Sequence, residues 1–141
     1  MTEYRIDRVL MGRLPPGTDL LEGIVALCVR ERVQCAHLSL LGALTHSALG
    51  WYEPEGRCYH RFEVDGIAEI LHGSGNISLL DGQPFPHVHL TLSQGEQRTF
   101  GGHLMPGSLI FVAEVQLLCY VGPPLQRELD PVTGLKLWPV G

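Results

Sequence analysis

The stretch PFPHVHLTLS, residues 84–93, places His87 and His89 two positions apart. Apolar and polar residues alternate along it, which is typical of a half-buried strand. Side chains two apart on a strand point to the same face, with their Cα atoms roughly 6.5 Å apart. The two imidazoles are therefore predicted to project together from one face of the strand, while Val88 and Leu90 pack on the other.

A third histidine, His103, follows in TFGGHLMPG, beyond a predicted hairpin turn at QGEQ. Two imidazoles on one strand and a third on its partner make a three-nitrogen site, a common arrangement for catalytic zinc with one position open to water. A four-residue turn would place His103 opposite Val88, on the wrong face. A turn of odd length, or a bulge at Gly101–Gly102, would bring it round to the pair. The spacing alone leaves metal ligands and ordinary hydrogen-bonded strand histidines both open.

Glu114 is the other candidate for chemistry, because it lies in the apolar run SLIFVAEVQLL. A buried carboxylate is costly unless it is paired. Glu114 could act as a general base or hold a metal-bound histidine, and it could equally pair with an arginine at a subunit contact. The remaining histidines show no comparable grouping and are interpreted as structural or surface residues: His37, His46, His60 and His72. The glycines of HGSGNIS lack the spacing of a phosphate loop and are predicted to form tight turns between strands.

The elements that must position these residues belong to a chain of 141 residues, 45% of them hydrophobic and 18% charged. This composition suits one compact domain with a hydrophobic core. Apolar residues at helical spacing, behind a capping-box pattern, predict one main helix at residues 18–33. The rest consists of short β-like runs split by glycine and proline, so the predicted class is α+β with a mostly antiparallel sheet. The single domain is expected to span residues 1–141, with its core at 4–121 and an irregular proline-rich tail at 122–141.

Charge and cysteine content limit the classes of function. The formal net charge is −5, and nine of the ten basic residues are arginine. A protein that neutralises DNA phosphates usually has a basic surplus, so a mildly acidic surface is the favoured interpretation. The four cysteines form no CxxC pair, and the charged start MTEYRIDRVL reads as a strand rather than a secretion signal. No apolar run approaches the ~20 residues that span a bilayer. A cytoplasmic protein without a membrane partner is expected.

Five segments occur together in the order seen in the plants-and-prokaryotes conserved (PPC) domain: LLGAL (40–44), EILHGSGNIS (69–78), PHVHLTLS (86–93), GGHL (101–104) and AEVQL (113–117). The chain thus resembles the stand-alone prokaryotic type of this family over residues 4–121. The resemblance implies a homotrimer and a fold similar to that of alpha-acetolactate decarboxylase, which holds zinc with an HxH pair and one further histidine. The matching positions are His87, His89 and His103, so the resemblance implies zinc or another divalent metal there.

Three functions remain open at this point. In plants the domain accompanies AT-hook motifs, and its prokaryotic members are often labelled DNA-binding, but the Arg-Gly-Arg-Pro core of the hook is absent from this sequence. The first function is a trimeric module that holds a divalent metal and has an interaction or regulatory role, with the DNA-binding label inherited from the family and with DNA, a protein or a small molecule at the metal as candidate partners. The second is a zinc-dependent lyase or hydrolase acting on a carbonyl or ester substrate, and the third is direct DNA binding through arginines on one trimer face. The acidic composition favours the first over the third, and the lack of an evident acid–base pair favours it over the second.

Overall fold

The computed structural model describes residues 1–96 and 98–140. This part of the chain contains one helix and eight strands. The helix predicted at residues 18–33 is present and is two residues shorter at each end. In chain order the elements are β1 (Arg5–Leu14), α1 (Leu20–Glu31), β2 (Ala36–Glu53), β3 (Cys58–Leu80), β4 (Gln83–Gln94), β5 (Arg98–Leu104), β6 (Leu109–Val121), β7 (Glu128–Leu129) and β8 (Lys136–Leu137).

Six of the strands form one sheet in the order β1-β6-β2-β3-β4-β5, and every pairing in it is antiparallel. Strand β5 also pairs with β2, where Leu49 lies opposite Leu104 and Gly50 opposite His103. Strands β2 to β5 therefore close into a small barrel. The predicted α+β class with a mostly antiparallel sheet is confirmed. Strands β7 and β8 form a separate short pair within the segment that follows β6.

The short β-runs predicted from the sequence join into two long strands, β2 with 18 residues and β3 with 23. Gly42 shows why glycine does not end β2. Its φ is +143°, and a Cβ atom there would lie 2.0 Å from the carbonyl oxygen of Val112 on β6. The register between β2 and β3 shifts at this point, as it does at a β-bulge. The division of this region into short runs was wrong, because the chain bends at irregularities such as the one at Gly42 and the strand continues through them.

The glycines of HGSGNIS lie within β3 rather than in the predicted turns. Gly75 is opposite Val88 of β4, and a Cβ atom on it would lie 2.3 Å from the carbonyl oxygen of His87. A Cβ atom on Gly73 would lie 2.7 Å from the Cβ of Leu40. The absence of side chains at both positions lets β4 and β2 pack closely against β3. Gly75 in particular sets the position of the strand that carries the two spaced histidines.

The core lies between α1 and the concave side of the sheet. Asp19 caps the helix by accepting a hydrogen bond from the backbone N–H of Glu22 at 2.9 Å. The inward positions of β4 are buried, as its alternation predicts, and α1 packs against this strand. No helix in the described part of the chain is long and apolar enough to cross a membrane. The side chains that α1 buries against the sheet are Leu20, Ile24, Leu27 and Cys28.

Candidate metal centre

The pairing of β4 with β5 brings the three predicted histidines to one face. His89 lies directly opposite His103, and at the other end of the ladder Gln94 lies opposite Arg98. Three residues separate the two strands, so the connection has an odd length, and the register runs from Gln94 to His89 without a shift. The predicted four-residue turn at QGEQ was therefore wrong, and no bulge at Gly101–Gly102 is needed to align His103 with the other two histidines. The odd connection places His103 on the same side of the sheet as His87 and His89.

The three imidazole rings converge on a common point. One nitrogen from each of His87, His89 and His103 lies within 4.8 Å of the other two. The ring centroids are 5.1, 5.1 and 5.5 Å apart. The Nε2 atoms of His87 and His89 are separated by 3.3 Å. Two nitrogens bound to one tetrahedral zinc ion at about 2.0 Å would be about 3.3 Å apart. This pair already has the spacing that a shared ion requires.

Burial disfavours the charged form of two of the three histidines, His87 and His103. The Nδ1 atom of His103 is enclosed and has no hydrogen-bond partner among the described residues, which is costly for a buried polar atom. Burial lowers the pKa of His103 from 6.5 to about 4, with smaller contributions from His87, His89 and Arg127. The pKa of His87 is lowered by burial first, then by the charges of Arg127 and His89. Since neutral imidazole is the form that binds metals, these surroundings favour the binding form at neutral pH.

The donor set fits zinc better than a harder ion. Zinc is commonly held by three or four nitrogen or sulfur ligands in tetrahedral geometry, whereas magnesium and calcium require oxygen ligands. All three donors here are imidazole nitrogens, and His103 offers an enclosed nitrogen that the protein leaves without a partner. Three ligands leave a fourth position for water or a small molecule.

A cavity of about 280 Å³ opens beside His87 and His103. The ring of Tyr59 lies against His103, with centroids 4.9 Å apart and planes tilted by 32°. Tyr59 in turn meets Tyr52 edge to face at 5.3 Å. The histidine cluster is thus bordered by aromatic side chains from the β2–β3 hairpin, and a small molecule could reach it from the cavity.

Arg127 forms the opposite wall of this cavity, and sequence reasoning missed it. Its Nε donates to Ser78 Oγ at 2.8 Å, Nη2 donates to Asn76 Oδ1 at 2.7 Å, and Nη1 donates to the Lys136 carbonyl at 2.9 Å. The guanidinium carbon also lies over two aromatic rings, 5.3 Å from the centroid of Phe85 and 5.2 Å from that of Trp138. Two of its three hydrogen-bond partners lie on β3, 49 and 51 residues away in the sequence. The local sequence therefore gives no signal for its burial.

Comparison with known proteins places this chain in a family. A model of the Plants and Prokaryotes Conserved (PCC) domain, the PPC domain named above, matches residues 1–120. The chain belongs to this family. The resemblance inferred from the sequence is thereby confirmed.

Solved structures of the PPC fold match nearly the whole chain. The metal-containing protein AF0104 from Archaeoglobus fulgidus is 33% identical, with a TM-score of 0.94 and 99% of both chains covered. A plant- and prokaryote-conserved protein from Pyrococcus horikoshii is also 33% identical, with a TM-score of 0.93 and coverage of 98% of this chain and 95% of that one. A candidate DNA-binding protein from Bacteroides thetaiotaomicron shares the fold at 21% identity, with a TM-score of 0.88 and coverage of 99% and 97%.

Two curated relatives match this chain over part of their own greater length. The bifunctional protein GlmU of Synechococcus sp. strain JA-3-3Ab is 33% identical over 129 residues, which are 90% of this chain. The same protein from strain JA-2-3B'a(2-13) is 34% identical over 124 residues, or 86% of this chain. The chain spans about a fifth of the length of these relatives, 20% and 18% respectively.

Glu114, the second candidate for chemistry, is not brought to the histidines of this PPC domain. It is exposed on β6, opposite Arg13 of β1 and Leu41 of β2. His103 lies opposite Gly50, nine residues further along β2. The predicted burial of Glu114 was wrong because the residue takes an outward position in the alternation of β6.

A second group of metal-binding residue types lies at the tip of the β2–β3 hairpin and was missed in the sequence. His60 Nε2 is 3.2 Å from Glu53 Oε2, and Cys58 Sγ is 3.8 Å from each of these two atoms. The spacing of Cys58 and His60 is the same i, i+2 spacing as in HVHL, which is the signal that could have found this group. The interpretation of His60 as an ungrouped residue was wrong. In the described part of the chain, His37, His46 and His72 belong to neither cluster.

Proposed function

We propose that this chain is a metal-binding module of the PPC family that holds one zinc ion through His87, His89 and His103 and has a regulatory role. The observation that carries the proposal is the convergence of the three rings, with the Nε2 atoms of His87 and His89 at 3.3 Å. The metal-containing protein of Archaeoglobus fulgidus, which covers the same fold at 33% identity, supports a metal in this architecture. When bound, zinc would act as a Lewis acid toward a ligand at its fourth position.

Zinc content measured by mass spectrometry tests this proposal. The protein is loaded with zinc and dialysed, in a Cys58→Ser background that disables the hairpin group. We expect about one zinc per chain, and loss of the zinc in His89→Ala and His103→Ala variants. His89 is exposed, so its replacement should not disturb folding.

His72→Ala is the matched control, because His72 is exposed on β3 and lies outside both clusters. It should retain zinc at the level of the Cys58→Ser parent. Circular dichroism on every sample shows whether the variant is folded. Retention of zinc by folded His89→Ala and His103→Ala proteins would contradict the proposal.

The proposal includes a homotrimer, which the family resemblance implies. One face of β1, β6 and β2 exposes apolar side chains, with Val9, Met11 and Leu41 exposed by 49%, 76% and 54%. Glu114 and Arg13 lie opposite each other on this outer face. An exposed apolar patch rimmed by charges is typical of a protein–protein interface. Light scattering coupled to size exclusion should give a mass three times that of the 15.5 kDa chain.

A zinc-dependent lyase or hydrolase is the second candidate function, and the cavity of about 280 Å³ beside His87 and His103 supports it. None of the described residues lining that cavity carries a carboxylate that could serve as general base. We therefore rank the enzyme below the module. Turnover of a carbonyl or ester substrate by the zinc-loaded protein, abolished in His89→Ala, would reverse this order.

DNA is the partner suggested by similar structures, among them the candidate DNA-binding protein of Bacteroides thetaiotaomicron. The charge distribution argues against direct binding by this chain. The first 32 residues contain half of its basic residues, five arginines, but these are interspersed with five acidic residues. We propose that any action on DNA is indirect, through a partner. A gel shift at low salt should show no complex, whereas a complex whose affinity falls steeply with salt would show direct binding.

A further inference from the structure

The described lining of the cavity beside the histidines is basic and contains no acidic residue. Among the described residues that line it, three are basic and none is acidic. The whole chain has 15 acidic and ten basic residues, so this wall departs from the overall composition. The cavity also reaches His87 and His103. An anion is the kind of ligand that such a wall attracts. The basic residues are Arg57, Arg127 and Lys136.

Arg127 is a buried cation without a counter-ion. The residue is 6% exposed, and no carboxylate in the described part of the chain lies within ion-pair distance of it. A guanidinium has five N–H groups. Three of them donate to Ser78, Asn76 and the Lys136 carbonyl, and the other two have no acceptor among the described residues. A buried charge is costly unless it is paired.

A role in anchoring the C-terminal segment to β3 does not by itself explain why a charged side chain is buried at position 127. The three hydrogen bonds that hold Arg127 go to neutral oxygens, which an uncharged amide side chain could also satisfy in part. The flanking aromatic rings compensate some of the charge through cation–π contact. What remains is a guanidinium with two spare donors on the wall of a cavity that reaches two of the three imidazoles, His87 and His103.

We propose that this cavity binds a small carboxylic acid with an adjacent 2-oxo or 2-hydroxy group. The carboxylate lies on Arg127, whose planar donor arrangement matches a carboxylate, and the adjacent oxygen points toward His87 and His103. This inference rests on the proposed zinc site, because the second oxygen needs the ion as its partner.

The size and walls of the cavity favour an organic acid over inorganic phosphate. Its volume of about 280 Å³ is just below the range of about 300–1,000 Å³ that is usual for drug-sized ligands. Tyr52, Phe85, Leu135 and Leu137 also line it and offer apolar surface for a short carbon chain. Inorganic phosphate has no carbon chain to place there.

Isothermal titration calorimetry of the zinc-loaded protein with pyruvate, lactate and inorganic phosphate tests the proposal. Pyruvate or lactate should bind, and Arg127→Gln should weaken this binding by at least about tenfold through loss of a charge-assisted contact. Arg30→Gln is the matched control, because Arg30 is exposed on α1 and, among the described residues, pairs with the adjacent Glu31 alone. It should leave the affinity unchanged. Zinc content is measured on the same samples.

Cobalt substitution gives a measurement that does not depend on the folding of a variant. Adding pyruvate to the cobalt-loaded wild-type protein should change the visible absorption of the ion, because the 2-oxo group enters its coordination sphere. Lys136→Gln removes a second charge from the cavity while its backbone carbonyl still accepts from Arg127. It should weaken pyruvate binding to a smaller extent than Arg127→Gln.

The two proposals fail in different ways. A zinc-loaded protein that binds neither acid, or binds them equally well in folded Arg127→Gln, overturns the carboxylate site and leaves the metal proposal standing. An unchanged cobalt spectrum, or tighter binding of phosphate than of either acid, also overturns it. A protein that takes up no zinc overturns both.

Discussion

At the residue scale, the site depends on three imidazoles that lie close together, and two of them are held in the neutral form by their surroundings. His103 achieves this by burial, which lowers its pKa to about 4. His89 is exposed but faces the Nε2 of His87 at 3.3 Å. The positive charge of Arg127 acts in the same direction on His87 and His103. Protonation of His87 and His103 is therefore disfavoured, so protons compete less strongly with a metal for these two ligands.

This environment predicts how the stability of the metal-free protein depends on pH. The folded pKa of His103 is about 4 and its ordinary value is 6.5, so between these values the unfolded chain binds a proton that the folded chain does not. The contribution to stability is fully present above pH 6.5 and is lost as the pH falls to about 4. Urea denaturation between pH 7 and pH 4 measures it.

His103→Gln removes the group and should flatten the fall of the unfolding free energy over that pH range. His72→Ala, which changes an exposed histidine, should keep the wild-type dependence. An equally steep fall in His103→Gln would show that another group causes the pH dependence.

The residues of the site differ in how far the sequence could reveal them. His87 and His89 are two apart on one strand, so strand periodicity alone places them together. The position of His103 depends on the length of the β4–β5 connection, and the sequence left two strand registers open. Arg127 could not be found, because the contacts that bury it come from β3 and form only in the folded chain. Glu114 was misplaced, because an apolar run indicates a strand but not which positions face outward.

At the scale of elements, the histidine strand is positioned by a close approach between β3 and β4. Gly75 lies opposite Val88, next to the residue pair that contains His87. A Cβ atom at Gly75 would lie 2.3 Å from the His87 carbonyl oxygen and 2.9 Å from the Val88 Cα. Both contacts are with backbone, which cannot move aside as a flexible side chain could. Glycine is required at position 75 because no Cβ atom fits between the two strands, and not because the chain turns there.

Gly75→Ala should therefore lower the free energy of unfolding by about 2 kcal/mol or more, within the range of mutations that force a steric conflict. It should also weaken zinc binding, because His87 must move with its strand. Denaturant unfolding and zinc competition titrations measure the two effects.

Gly12→Ala is the matched control on β1, because nothing lies within 4 Å of a Cβ atom there. It should change the unfolding free energy by less than about 0.5 kcal/mol. Equal effects of the two substitutions would show that the loss at Gly75 reflects glycine flexibility rather than strand spacing.

The elements themselves were predictable in type and less so in length. The helix was found because its apolar spacing and its Asp19 cap agree. Strands β2 and β3 were divided into short runs, and in β3 the divisions fell at glycines, because glycine usually interrupts a strand when no neighbouring backbone is known. Closure of the barrel through the contact of β5 with β2 involves residues more than 50 positions apart, and strand patterns carry no information about it.

At the scale of the whole molecule, two separate surfaces are candidates for binding a partner or a ligand. The outer face of β1, β6 and β2 carries exposed apolar side chains, and the candidate metal centre lies further along β2, on the barrel. Because Leu41 and Gly50 mark these two regions nine residues apart on one strand, assembly and ligand binding can be disturbed separately. The proposed trimer would cover the first surface and leave the second to a small molecule.

A charge on the outer face should dissociate the trimer. Leu41→Asp places a carboxylate next to Glu114 on that face, and its desolvation in an interface is costly. Light scattering should show a fall from trimer to monomer, with zinc content unchanged. Val132→Asp, in the segment after β6, is the control, because Val132 is also exposed but lies outside the outer face. A trimer that persists in Leu41→Asp would place the interface elsewhere.

The central claim is that three imidazoles share one ion, and X-ray absorption at the zinc edge of the wild-type protein with one equivalent of zinc tests it most directly. We predict three imidazole nitrogens and one further light atom at about 2.0 Å. A sulfur atom at about 2.3 Å would place the ion at Cys58 in the hairpin group instead. That result, or a shell with fewer than three imidazoles, would contradict the account.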